Sequence, residues 1–167
     1  MGDDQSGFDE MVDAIDYPMF VVTAHADGRR AGCLVGFASQ TSIDPRRFLV
    51  GISKRNQTHD IAEQAEYLAV HLLPRERTDI AALFGAHSGY DTDKFTRCAW
   101  SEGPHGLPIL DDAAFWFVGK TVRRFDAGDH DAFLLDPVDS GSRVSAPGAQ
   151  SWVTFSDVHD LDAGRDA

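Results

Sequence analysis

The chain is short of lysine, glutamate and cysteine. Lysine occurs only as Lys54, Lys94 and Lys120, and glutamate only as Glu10, Glu63, Glu66, Glu76 and Glu102. The 27 acidic residues therefore comprise 22 aspartates, set against 15 Lys+Arg for a net charge of −12. Such a surface repels nucleic acid and anionic membranes, and no basic stripe offsets it. The two cysteines, Cys33 and Cys98, provide neither a disulfide framework nor metal-ligand spacing, and read as buried thiols behaving as small hydrophobes. The seven histidines likewise show no ligand spacing, so no metal is expected. No apolar run approaches the ~20 residues of a membrane span. The start, Met1-Gly2-Asp3-Asp4, lacks the basic opening of a signal peptide, which makes a cytoplasmic address the expectation. Gly-x-Gly-x-x-Gly, Gly-x-x-x-x-Gly-Lys-Ser/Thr and Gly-x-Ser-x-Gly are all absent, excluding the usual sequence signatures of dinucleotide folds, P-loops and serine hydrolases.

What remains suits one domain. At 167 residues and 43% hydrophobic content the chain is long enough to bury one substantial core. Phe8, Met11, Val12 and Ile15 follow the i, i+3, i+4, i+7 spacing of an amphipathic helix in an arm over 1–15. A body is expected over 16–140 and a Ser-, Gly- and Ala-rich tail over 141–167, interrupted by the apolar cluster Trp152-Val153-Thr154-Phe155. Strands are predicted over Met19–Ala24, Gly32–Ser42, Phe48–Ser53, Tyr67–Leu73, Phe95–Trp100, Ala113–Phe125 and Ala132–Val138. Asp27-Gly28 carries hairpin chemistry. Helices are predicted over Asp60–Tyr67 and Glu76–Phe84, the second ending at Gly85 as its C-cap. Short strands with frequent turn signals favour a mainly β, antiparallel barrel with a few flanking helices.

The stretch Ala31 to His59, AGCLVGFASQTSIDPRRFLVGISKRNQTH, gathers the candidate chemistry. Glycines in its first strand allow something to approach the backbone closely. Ser39, Gln40, Thr41 and Ser42 supply short hydrogen-bonding side chains, and Asp44-Pro45 stops the strand. Lys54, Arg55, Asn56 and Thr58 then combine two cations with several donors just ahead of a helix. That set suits a phosphate dianion, or equally a solvated turn with an N-capping Asn or Thr.

This stretch resembles the flavin reductase-like group of FMN-binding split barrels. Members carry a Gly-x-x-x-Ser-Phe-x-Ser-type strand, an Asp-Pro break and a Ser/Thr-rich segment before a helix. Asp93-Lys94-Phe95 is similar to the family's Asp-Lys-Phe, and Gly128-Asp129-His130 to its Gly-Asp-His. Together the matches run in order from Asp16 to Ser140. Two departures stand out: Gly36 replaces the common Ser or Thr before the Phe, and Arg46 replaces a frequent second proline. The resemblance implies an FMN-binding split β-barrel that takes hydride from NAD(P)H, works as a homodimer, and passes reduced flavin to free flavin or a partner monooxygenase. It implies FMN contacts from Val35, Gly36, Phe37, Ala38, Ser39, Gln40, Thr41, Ser53, Lys54, Arg55, Asn56, Thr58, Lys94 and Phe95. It associates His130, as the catalytic candidate, with the nicotinamide side. The alternatives are a non-catalytic FMN module for electron carriage or sensing, or a barrel without flavin that serves as an interaction domain. His130 as a packing turn histidine and Lys94 as a solvated loop residue also stay open.

Overall fold

The structure is a computed structural model that describes residues 4–144 and 150–160. Parts of the predicted arm and tail, 1–3, 145–149 and 161–167, lie outside the described residues. A first helix, α1 (Ser6–Ala14), buries none of its residues. Strands β1 (Phe20–Ala26) and β2 (Arg29–Val35) pair antiparallel. Asp27 and Gly28 both take positive φ, 52° and 74°, in the two-residue turn that matches strand twist. Next come β3 (Ala38–Ser42), β4 (Arg47–Ser53), α2 (Gln57–Ala62), β5 (Tyr67–Leu72) and α3 (Thr78–Ala86). The short β6 (Trp100–Glu102) and β7 (Pro108–Leu110) form their own two-stranded sheet. The long β8 (Phe115–Asp126) and β9 (His130–Ser142) and a last turn of helix, α4 (Phe155–Val158), complete the chain.

Seven strands make one sheet in the order β2-β1-β5-β8-β9-β4-β3, antiparallel throughout. Its two edge strands, β2 and β3, are consecutive in the chain and joined only by Gly36 and Phe37. The sheet is therefore rolled, because two residues cannot span a flat one. Phe37 turns its carbonyl inward to accept a 2.7 Å hydrogen bond from the Gly51 amide of β4. The predicted continuous strand from Gly32 to Ser42 is thus two strands on opposite edges.

Alternation along β1 feeds two cores. Val22 and Ala24 point into the roll with Cys33, Val35, Val50, Ile52, Val70, Phe133 and Leu135, while α2 lays Ile61 and Ala62 over them. Val21 points the other way, into a layer with α3 (Ile80, Ala81, Phe84), Leu73, Phe95 and Leu110. The cluster Trp152-Val153-Thr154-Phe155 docks on this layer. Val153 is fully buried and bonds Met19 and Leu73 through its backbone, and Phe155 stacks on Tyr17. His71 joins three strands: Nδ1–H donates to the Val21 carbonyl (2.9 Å) and Nε2 accepts the Leu110 amide (3.2 Å).

Three local readings are corrected. Phe95–Trp100 is not a strand. Lys94–Thr96 forms a 3-10 turn capped by Asp93, and the Trp100 indole folds back onto the Phe95 carbonyl. Gly85 does not end α3 but lies within it. A Cβ there would meet Leu34 at 2.8 Å, so the glycine serves the contact between α3 and β2. The predicted Asp60–Tyr67 helix starts earlier and is shorter, because Asn56 caps it by accepting from the Thr58 amide.

Candidate active site

The junction between β2 and β3 opens onto a cleft of about 240 Å³. Val35, Gly36 and Phe37 form one wall, Gly51 and Ser53 of β4 the floor, and Arg55 and Asn56 the end ahead of α2. His130, at the start of β9 and opposite Ser53 in register, closes the side next to Phe37. The rings of His130 and Phe37 lie 4.9 Å apart. The far wall comes from the end of α3 and the residues after it, Phe84 to Ser88, with Tyr17, Met19 and Phe155 beside them.

Two glycines give this cleft its shape. A Cβ on Gly36 would meet the Tyr17 ring at 2.8 Å, and one on Gly51 would meet the Phe37 Cβ at 3.2 Å. The serine or threonine seen before the Phe elsewhere in the family has no room here unless Tyr17 moves.

The candidate residues divide into those the fold gathers and those it separates. Val35, Gly36, Phe37, Ser53, Arg55, Asn56 and His130 line the cleft together. Ala38, Ser39, Gln40 and Thr41 run away from it along the sheet edge, where Ser39 and Gln40 bond backbone carbonyls of their own strand. Lys54 points its amine at the β8–β9 turn, bonding the Gly128 carbonyl (2.6 Å) and Asp126 (2.8 Å), with Asp131 at 4.0 Å. The Asp126 bond raises the Lys54 pKa and lowers that of Asp126 itself. Thr58 is buried beside the Cys33 thiol, and its hydroxyl finds no partner among the described residues. Lys94 is 3% exposed behind the cleft, its amine held by the Gly32 and Phe84 carbonyls (2.9 and 3.0 Å). Burial lowers its pKa, and Phe95 packs in the core beside it.

Alternation on β9 gives neighbouring residues different tasks. His130 faces the cleft, with Nδ1 2.7 Å from Asp129 Oδ1, a bond that holds the Asp129 carboxyl below its ordinary range. Asp131 instead meets the His59 Nε2 of α2 at 2.6 Å, tying that helix to the sheet. His59, Asp60 and Glu63 come within 4.8 Å of one another. His59 is engaged by Asp131, Glu63 by Arg124, and Asp60 by the Tyr90 hydroxyl.

Sequence reasoning missed Tyr17, Met19, Phe84, Gly85, His87, Ser88 and Phe155. Only Gly85 carried a local signal, and it read as a helix end. The others arrive by packing of distant segments.

The cleft at the β2–β3 junction, with Arg55 and Asn56 at one end and His130 at its side, thus sits in a mainly antiparallel β fold with a few short helices. The chain belongs to the flavin reductase-like family: the model described as "Flavin reductase like domain" matches residues 12–149. It is 25% identical over 153 residues to a ferric-chelate reductase (NAD(P)H) of Archaeoglobus fulgidus, covering 90% of this chain and 88% of that one. It is 32% identical over 126 residues to an NADH:riboflavin 5'-phosphate oxidoreductase of Streptomyces pristinaespiralis, covering 73% and 69%. Among solved structures, an FMN-binding protein of Thermus thermophilus superposes with a TM-score of 0.73 at 26% identity, covering 77% of this chain and 72% of that one. Among the described residues no helix is long and apolar enough to cross a membrane.

Proposed function

We propose that this chain is an NAD(P)H-dependent flavin reductase that uses FMN in the cleft at the β2–β3 junction. The observation that carries this is convergence: Gly36-Phe37, then Gly51, Ser53, Arg55 and Asn56, and finally His130 come from three separate segments and line one cleft. Residues fit the group. Gly36 and Gly51 line the cleft, and their lack of a side chain lets Tyr17, Met19 and Phe37 pack close to the backbone there. Arg55 offers a cation, and Asn56 an amide, at the end where a phosphate would sit. Bound flavin supplies the hydride acceptor, and the protein's share is geometry and electrostatics. In this reading the β2–β3 backbone orients the ring, while Phe37 and His130 form the rim on which the nicotinamide is positioned. Asp129 fixes the ring orientation of His130.

A volume of about 240 Å³ falls below the ~300–1,000 Å³ usual for ligand pockets. That shortfall supports a homodimer in which a second copy completes the walls. Reduced flavin would then pass to a separate acceptor, either free flavin or a partner monooxygenase.

Anaerobic titration tests the reading. Purified protein reconstituted with FMN is expected to be yellow and to bleach on addition of NADH or NADPH. Yellow protein that neither nucleotide bleaches would identify a flavin carrier instead. A colourless protein that fails to bind FMN would refute the site.

A further inference from the structure

Two surfaces of this chain are incompletely buried, and each has what the other lacks. Helix α1 presents Phe8, Met11 and Val12 along one face, with Ile15 just past its end, flanked by Asp9, Glu10 and Asp13, and buries nothing. At the end of the roll, Phe20, Phe48, Val70, Leu72, Phe115 and Phe117 line a groove of about 670 Å³. Its lining includes Arg46 and Arg47 and no acidic side chain. Arg47 is paired with Asp136 at 3.0 Å, and Arg46 is exposed. Four of the ten exposed large apolar side chains among the described residues belong to these two surfaces: Phe8, Met11 and Ile15 on the arm, and Phe115 in the groove.

We propose that α1 of one protomer seats its apolar face in the groove of a second copy, reciprocally, with its acids toward Arg46. Apolar burial would drive the docking and the opposite charges would set its orientation. Within its own chain α1 buries nothing and lines no part of the groove, which favours the second copy as its seat. Asp16 bonds Ser156, Tyr17 stacks on Phe155, and Pro18 bridges Thr154, so the segment leaving α1 is pinned to the α4 side of the body. Reciprocal exchange is the self-complementary contact that two-fold symmetry requires. The inference rests on the homodimer reading above and adds to it the surfaces that meet.

The test mixes two single variants, Met11→Cys and Gln40→Cys, each in a Cys98→Ser background, under mild oxidation at low micromolar concentration. Linked peptides are identified by mass spectrometry. A hetero-linked product joining residue 11 of one chain to residue 40 of another is expected. In parallel, Phe8→Asp/Met11→Asp is expected to weaken dimerisation about a hundredfold, the size for withdrawing two large apolar side chains from an interface. Because α1 buries nothing within its own chain, this variant should keep wild-type circular dichroism. A wild-type dimer that forms no hetero-link and keeps its dissociation constant in the aspartate variant overturns the arm exchange and leaves the homodimer standing. A link formed only within one chain, in a Met11→Cys/Gln40→Cys double variant, overturns it in favour of docking on the same protomer. A wild-type monomer at micromolar concentration overturns both.

Discussion

Lowering the pH from 7 to 4 should destabilise this protein through one buried imidazole. His71 is completely buried, donates through Nδ1 to the Val21 carbonyl and accepts the Leu110 amide at Nε2. The Leu110 bond requires the neutral ring, since a protonated Nε2 cannot accept, whereas the Val21 bond survives protonation. Burial pushes its pKa down from 6.5 to about 4, against a weaker upward pull from the Val21 bond. The folded pKa thus lies below the unfolded one. Its contribution is fully present above pH 6.5 and is lost as pH falls from 6.5 towards 4, where unfolded chains bind a proton that folded ones refuse. At about 1.4 kcal/mol per pH unit that interval is worth about 3 kcal/mol, a large share of a typical 5–15 kcal/mol. Asp16, Asp79 and Asp157 add losses of the same sign only at lower pH. Their carboxyls are held below 3.8 by the Ser156 amide, Arg77 and the Thr154 amide respectively. Urea unfolding followed by circular dichroism at pH 7, 6, 5 and 4.5, at fixed flavin concentration, measures the slope. His71→Gln can both donate and accept but does not titrate. It should be less stable at pH 7 and nearly flat across the interval. Equal slopes in wild type and variant would refute the assignment.

Other predictions address the site. Arg55→Ala should weaken FMN roughly ten- to a hundredfold by fluorescence titration while leaving riboflavin binding almost unchanged. Equal weakening of both would put the phosphate elsewhere, and Lys54→Ala should leave the ratio as it is. His130→Ala should stay yellow yet slow flavin reduction by the pyridine nucleotide in anaerobic stopped-flow. A wild-type rate would remove His130 from the active site. Lys94→Met strips the buried Gly32 and Phe84 carbonyls of their donor, costing about 2–4 kcal/mol and roughly 5–15 °C in Tm. An unchanged Tm would contradict the role given to that amine.

Much of the fold was readable because its signals are local. Apolar runs marked most of the large sheet, and Asp27-Gly28 announced a turn whose two residues do take positive φ. Readings failed where a distant segment decided the outcome. Nothing between Gly32 and Ser42 reveals that the chain swings from one sheet edge to the other, since Tyr17 and Met19 press on Gly36 from outside the stretch. Gly85 carries the residue type of a helix end but was selected by the closeness of Leu34. The candidate site divides in the same way. Arg55 and Asn56 lie in the cleft as their position before a helix suggests. The Lys54 amine is drawn off by an aspartate 72 positions away, which no reading of the local run could anticipate.

The joining of both sheet edges by two residues has a dynamic consequence. Unrolling the sheet must begin at that seam, and the cleft lies across it, with walls from β2 on one side and from β4 and β9 on the other. A ligand seated there acts as a clasp on the seam. It should raise the free energy of opening, even for strands far from its own contacts, by RT ln(1 + [L]/Kd), which cuts the open population by a factor of 1 + [L]/Kd. Amide hydrogen exchange would register this as slower exchange along the whole of β3, including residues that never touch the ligand.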